Sequence, residues 1–155
     1  MAEQVTIVQR LVQQARRLAA GMPNFAADKG PGKNAGNGFT RGFQLQLQGW
    51  VKAKFPHQIE IERQAIGGAR YAFDYYIARE QAVVEVALSI HKSNTEFEKD
   101  VLKCLLAKQN GLKIRRLVFV GKPGAKRRLS EGGPLAIASY AKNAAGIIIQ
   151  VEEIG

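Results

Sequence analysis

Apolar residues at Val5, Val8, Leu11, Val12, Ala15, Leu18 and Ala19 recur at steps of three and four, the spacing of one face of an amphipathic helix. The stretch 21–38, GMPNFAADKGPGKNAGNG, interrupts that pattern with Gly, Pro and Asn and has too few apolar side chains to bury much surface. It predicts a long flexible loop. Over 40–55 two periods compete. Phe43, Leu47, Trp50, Val51 and Lys54 step like a helix, while QLQLQ alternates like a strand. The helical spacing outlasts the alternation, so a helix is expected, ended by Pro56.

Three strands are expected next, at 57–63, 70–78 and 81–89, with Gly67 and Gly68 marking the first turn. A helix over 94–109 follows, with Ser93 and Glu96 at capping-box spacing and Gly111 just past its end. The run Leu-Val-Phe-Val within 114–121 predicts a buried strand. A loop, GKPGAKRRLSEGG, leads to a short helix with Pro134 near its first turn, and 147–151 closes the chain as a strand. The order is ααβββαβαβ. Consecutive strands imply an antiparallel meander, and the later strand-helix-strand passages imply parallel additions. The fold class expected is α/β (α+β), a mixed sheet flanked by helices in a single domain over 1–155.

Charge adds what periodicity cannot. The chain carries 23 Lys+Arg against 13 Asp+Glu, a formal net charge of +10. That balance suits a polyanionic partner, because neutralising phosphates releases condensed counterions. A generally basic protein without a nucleic-acid role is the bland alternative. The lone cysteine, Cys104, excludes an intramolecular disulfide and a cysteine-cluster zinc site, and its apolar neighbours mark it as a core thiol. With no leader-like apolar run and no stretch of membrane-spanning length, a cytoplasmic location is expected.

The chemistry concentrates in the second and third strands, RYAFDYYIA and QAVVEVALS. A hairpin turning at Arg79 and Glu80 sets Asp74 directly opposite Glu85. Opposed residues have Cβ atoms about 4.5–5.5 Å apart, where like charges destabilise. A cation is therefore expected between them. Mg²⁺ is suited, being a hard cation that takes carboxylate oxygens. Two other accounts stay open: one acid pairs with Arg70 or another base, or the register slips and the acids never meet.

The run from 67 to 108, opening GGARYAFDYYIAREQAVVEVALSIHKSNTEFEKDVLK, resembles the catalytic core of the PD-(D/E)XK nuclease superfamily. That pattern has an Asp near the end of one strand, an acid-any-Lys triplet in the next, and then a helix. Asp74 matches the first acid and Glu85 the second. The resemblance implies a restriction-endonuclease-like fold and a Mg²⁺ (or Mn²⁺) ion held by Asp74, Glu85 and the backbone carbonyl of Val86. It also implies phosphodiester hydrolysis in double-stranded DNA, of restriction or resolvase type, with a homodimer common among such enzymes. The triplet here is Glu85-Val86-Ala87, so the family's lysine is missing from position 87. Lys92 and Lys99 are the local replacements, and Lys99 is preferred because a helix aims a side chain better than a turn. Each also reads as an ordinary solvated lysine. The reading opposed to an enzyme is a non-catalytic nucleic-acid-binding protein with a degenerate nuclease fold.

His57 and His91 are too few and too scattered for a histidine-metal nuclease, and Glu60 and Glu62 read as an exposed strand face or as helpers to a second metal. For DNA contact the richest segment is 113–128, with Lys113, Arg115, Arg116, Lys122, Lys126, Arg127 and Arg128 and no acid. Lys29, Lys33, Arg41 and Arg70 are expected to add to that phosphate-binding patch.

Overall fold

The computed structural model describes residues 4–22, 25, 35–66, 71–88 and 93–155. Helix α1 (Ile7–Ala20) opens with a capping box. The Thr6 hydroxyl accepts from the Gln9 amide at 3.1 Å, and the Gln9 side chain accepts from the Thr6 amide at 2.8 Å. Helix α2 (Ala35–Lys54) starts inside the stretch expected to be loop and settles the competing periods over 40–55 as helical. Phe43, Leu47 and Val51 are buried on one face at steps of four, which leaves Leu45 of the QLQLQ run exposed.

Strands β1 (Glu60–Gln64), β2 (Ala72–Ile77) and β3 (Ala82–Ala87) form the antiparallel meander. Helix α3 (Ser93–Gln109) crosses over to β4 (Arg116–Gly121), which pairs parallel with β3. The loop expected after β4 contains a short helix, α4 (Ala125–Leu129), that periodicity over five residues could not announce. Helix α5 (Gly132–Ala145) follows, closed by Gly146 in the left-handed region, and β5 (Ile148–Glu153) pairs parallel with β4. The result is a five-stranded mixed sheet in sequential order β1-β2-β3-β4-β5.

Helices cover both faces. On one, Val8, Leu11, Phe43 and Leu47 of α1 and α2 pack on Tyr75, Ile77, Val84, Val118 and Val120. On the other, Phe97, Val101 and Cys104 of α3, with Ala125, Leu129 and Ala141 of α4 and α5, pack on Val83, Leu117 and Phe119. Strands β3 and β4 are thus covered on both sides and read as continuous apolar runs. One polar residue, Glu85, breaks the run in β3.

The β2–β3 connection is a 3-10 turn, Ala78–Glu80, closed by Gln81 at φ 51°. It is wider than a two-residue hairpin turn yet keeps the expected register, with Ile77 paired to Ala82 and Tyr75 to Val84. Glu80 on this turn accepts from the Ile7 and Val8 amides at 2.6 and 3.2 Å, so the hairpin tip caps α1 from outside. Among the described residues no helix is long and apolar enough to cross a membrane.

Candidate active site

Continuing the β2–β3 register one step beyond Tyr75 and Val84 brings Asp74 level with Glu85. Here the strands exchange side chains for backbone pairing. The Val86 amide donates to Oδ2 of Asp74 at 2.8 Å, and the Ala72 carbonyl accepts from Nζ of Lys103 at 2.8 Å. The Val86 carbonyl accepts from the Gln44 amide of α2 at 3.3 Å, and the Tyr75 hydroxyl donates to Oε1 of Gln44 at 3.4 Å. Residues from both helical layers therefore meet where the hairpin leaves its regular ladder.

The cation beside the acids is Lys103 of α3. Its Nζ lies 2.8 Å from Oε1 of Glu85 and 3.0 Å from Oδ1 of Asp100, one helical turn away. An ammonium has three protons, and here Ala72, Glu85 and Asp100 take all three. The Phe73 ring adds a face to the same cation at 5.7 Å. Glu85, Asp100 and Lys103 are all buried, and Asp74 is half-buried.

Three carboxyls around one ammonium in a buried site would carry an excess of negative charge if all were ionised, and that excess favours their protonated forms. Burial drives the Glu85 carboxyl well above its usual range, with Asp74 and then Asp100 pushing the same way against Lys103. Asp74 is also raised by burial, although the Val86 amide and Lys103 favour its anion. Asp100 is pushed up to about 7 by burial, with Lys103 opposing. Burial disfavours the Lys103 ammonium, but Glu85 and Asp100 outweigh it and hold the ammonium charged. Glu85 and Asp100 lie too close through Lys103 to titrate independently.

The other expected site residues are dispersed. Lys99 is exposed, its Nζ 5.7 Å from the centroid of the Tyr71 ring, and it bonds neither Asp74 nor Glu85. The position foreseen for it belongs to Lys103, one turn further along α3. Lys92, His91, Lys29, Lys33 and Arg70 lie outside the described residues. Arg41 is exposed on α2, one turn before Gln44. His57, Glu60 and Glu62 are exposed, and Glu60 is paired with Arg63 at 2.9 Å. Cys104 is a buried core thiol, its pKa driven up by burial.

The basic segment 113–128 is not one patch. Lys113 and Arg115 precede β4 and Arg116 opens it, and α4 with Lys126, Arg127 and Arg128 follows it. The six-residue strand between them separates the groups by about 17 Å at roughly 3.3 Å per residue. The second group lies at the sheet end that carries Glu85 and on the α3 side. Lys122 belongs to neither surface, since it is buried with Nζ 5.5 Å from the centroid of the Phe25 ring. A buried lysine stem exposes no ammonium to a phosphate.

Neither Asp100, Lys103 nor Gln44 stood out in the sequence. For Asp100 a signal existed: it falls within the arc of α3 spanned by Phe97, Val101, Cys104 and Ala107 at 100° per residue, whereas Lys103 lies about 40° beyond the Ala107 edge of that arc. Gln44 carried none. The chain matches no family model, no curated protein and no solved structure.

Proposed function

We propose that the chain is a metal-dependent endonuclease of restriction-endonuclease-like fold that hydrolyses phosphodiester bonds in DNA. The observation that carries this reading is the meeting of Asp74, Glu85 and Lys103 at the point where β2 and β3 leave their ladder. Two acids with a lysine ammonium against one of them are the chemical content of the acid-any-Lys pattern, here with the lysine supplied by α3 instead of position 87.

The donor set fits Mg²⁺ or Mn²⁺. Asp74 and Glu85 would hold the ion with the Val86 carbonyl, which now accepts one amide proton from Gln44. Among the described residues no three His, Cys, Asp or Glu side chains form a metal-holding group. Mg²⁺ does not require one, since it commonly binds one or two carboxylates and fills its shell with waters and substrate phosphates. Such an ion supplies Lewis-acid charge at the phosphoryl oxygen and an activated water. Lys103 would then hold Glu85 in place and set its positive charge beside the reacting phosphate, and α4 would seat the DNA backbone through Lys126, Arg127 and Arg128. Cutting both strands of a duplex takes two such sites, which a homodimer would bring.

The test is nicking and linearisation of supercoiled plasmid with Mg²⁺ or Mn²⁺. Asp74→Asn and Glu85→Gln should each abolish cleavage while leaving plasmid binding in place. Metal-independent nicking, or cleavage that survives Asp74→Asn, would reject the assignment.

One observation favours a non-catalytic nucleic-acid-binding protein instead. All three protons of Lys103 are engaged by protein oxygens, which leaves none for a water or a phosphate. Under that reading the cluster only braces the sheet. Tight DNA binding with no cleavage under either metal would establish it.

A further inference from the structure

The end of the sheet remote from the acids has its own concentration of arginine. Arg115 and Arg116 line a cavity of about 320 Å³ with Thr6, Glu80, Gly146 and Ile148. Arg10 and Arg79 line a cavity of about 350 Å³ that shares Thr6 and Glu80 as its wall. All four arginines are exposed, and none forms an ion pair among the described residues. Glu80, the carboxylate in both walls, is already bonded to the Ile7 and Val8 amides that open α1. Both of its oxygens are thus engaged by the helix terminus. Four exposed arginines around two adjoining hollows present planar donors at successive positions, which matches a chain of phosphates better than a single anion.

We propose that this end is a second phosphate-backbone contact, through which one copy of the chain holds a second nucleic-acid segment. The first segment lies on α4 and the acid site. The inference rests on the reading of α4 as a nucleic-acid surface, and it does not depend on cleavage. The two groups stand at opposite ends of the parallel strands, since Arg116 begins β4 and Gly121 ends it ahead of α4. They therefore face apart, and each takes its own segment.

The experiment uses the full chain in EDTA with a short labelled duplex. Complexes are weighed in solution, so that chains and duplexes are counted separately. The wild type should form complexes of one chain with two duplexes. Arg115→Glu/Arg116→Glu should hold one duplex, and Lys126→Glu/Arg127→Glu/Arg128→Glu should also hold one. Losing two phosphate contacts should lower the salt slope of second-duplex binding by about 1.8. Should the double charge reversal fail to fold, Arg10→Ala/Arg79→Ala tests the same surface from its other hollow. One duplex on the wild type, or two on the Arg115/Arg116 variant, overturns the proposal. So does an unchanged duplex count when that variant loses binding to anionic phospholipid vesicles, because the surface would then be a membrane contact. A wild type that binds two duplexes in EDTA and cuts no DNA when Mg²⁺ or Mn²⁺ is supplied would reject the nuclease reading while leaving this one standing.

Discussion

Nζ of Lys103 and Oε1 of Glu85 lie 2.8 Å apart although 18 residues separate them in the chain. The pair sits in a low-dielectric layer between helix and sheet, where truncating one partner leaves the other charged and unmatched.

If Lys103 serves the reacting phosphate, Lys103→Ala should lower the cleavage rate by about 10²–10⁴, the range for a lost acid-base or electrostatic partner. Lys99→Ala should cut plasmid like the wild type, since Lys99 rests on Tyr71 and not on the acids. Ala87 lies two residues beyond Glu85 in β3 and so on the same face. Ala87→Lys in the Lys103→Ala background should restore part of the rate. Single-turnover cleavage of the three variants is the measurement, and equal rates for Lys103→Ala and wild type would remove Lys103 from the site.

The buried acids predict how stability follows pH. The Asp100 carboxyl is pushed up to about 7 from an ordinary 3.8, so the native state binds its proton more tightly than the unfolded chain does. Its contribution to stability is complete below about pH 4 and is lost as pH rises to about 7, at no more than about 1.4 kcal/mol per unit. Metal-free protein should therefore unfold at lower denaturant concentration at pH 7.5 than at pH 5.5. Asp100→Asn should flatten that difference. An unchanged slope in the variant would show that Asp100 does not carry it.

Three cations on α4 should set the electrostatic part of DNA affinity. Lys126, Arg127 and Arg128 are all exposed on one short helix, and each phosphate contact contributes about 0.9 to the slope of log K against log salt. Neutralising all three to Ala should lower the slope by up to about 2.7 and weaken binding to every sequence alike. Titrations by anisotropy at several salt concentrations will read it. A sequence-dependent loss would mean that α4 touches base edges.

Gly121 is where α4 meets the sheet. A Cβ there would stand 2.7 Å from the Cβ of Ala125, closer than packed carbons approach. Gly121→Ala should destabilise the fold by about 1–3 kcal/mol, the range for overpacking. Ala125→Gly in the same chain should recover much of that loss. Additive effects in the double variant would show that the two residues do not touch.

What could be read from the sequence follows from which forces are local. The hairpin register was readable from a turn placed at Arg79 and Glu80, which sets Asp74 opposite Glu85 with no tertiary information, although the alternation of β2 and β3 by itself leaves a one-residue slip open. The identity of the cation was not. Lys99 and Lys103 differ by about 40° around α3, and only the packing of that helix on Phe73 and Val83 decides which is drawn inward. Lys103 also breaks the rule that lysines face water, so the apolar pattern assigns its position to solvent. The split of the basic segment was hidden for a different reason. Seven cations close in sequence look like one surface until a six-residue strand carries half of them to the far end of the sheet. Helix α4 is too short to show any period, yet it is held by specific bonds: Oε2 of Glu153 accepts from the Gly124 and Lys126 amides at 2.6 and 3.2 Å.

The bond from the Val86 amide to Asp74 has a consequence for hydrogen exchange. An amide in a regular strand ladder exchanges when the strands part, whereas this one is guarded by a carboxylate. Whatever draws Asp74 away, such as a proton or a divalent ion, should expose the Val86 N–H without disturbing its neighbours Val83 and Val84, which remain in the paired register. At the other end of the same hairpin, Glu80 ties the turn to α1, so that end has no comparable release. A single backbone amide thus becomes a spectroscopic gauge of occupancy at the acid pair, readable by NMR in a protein that has never been asked to turn over.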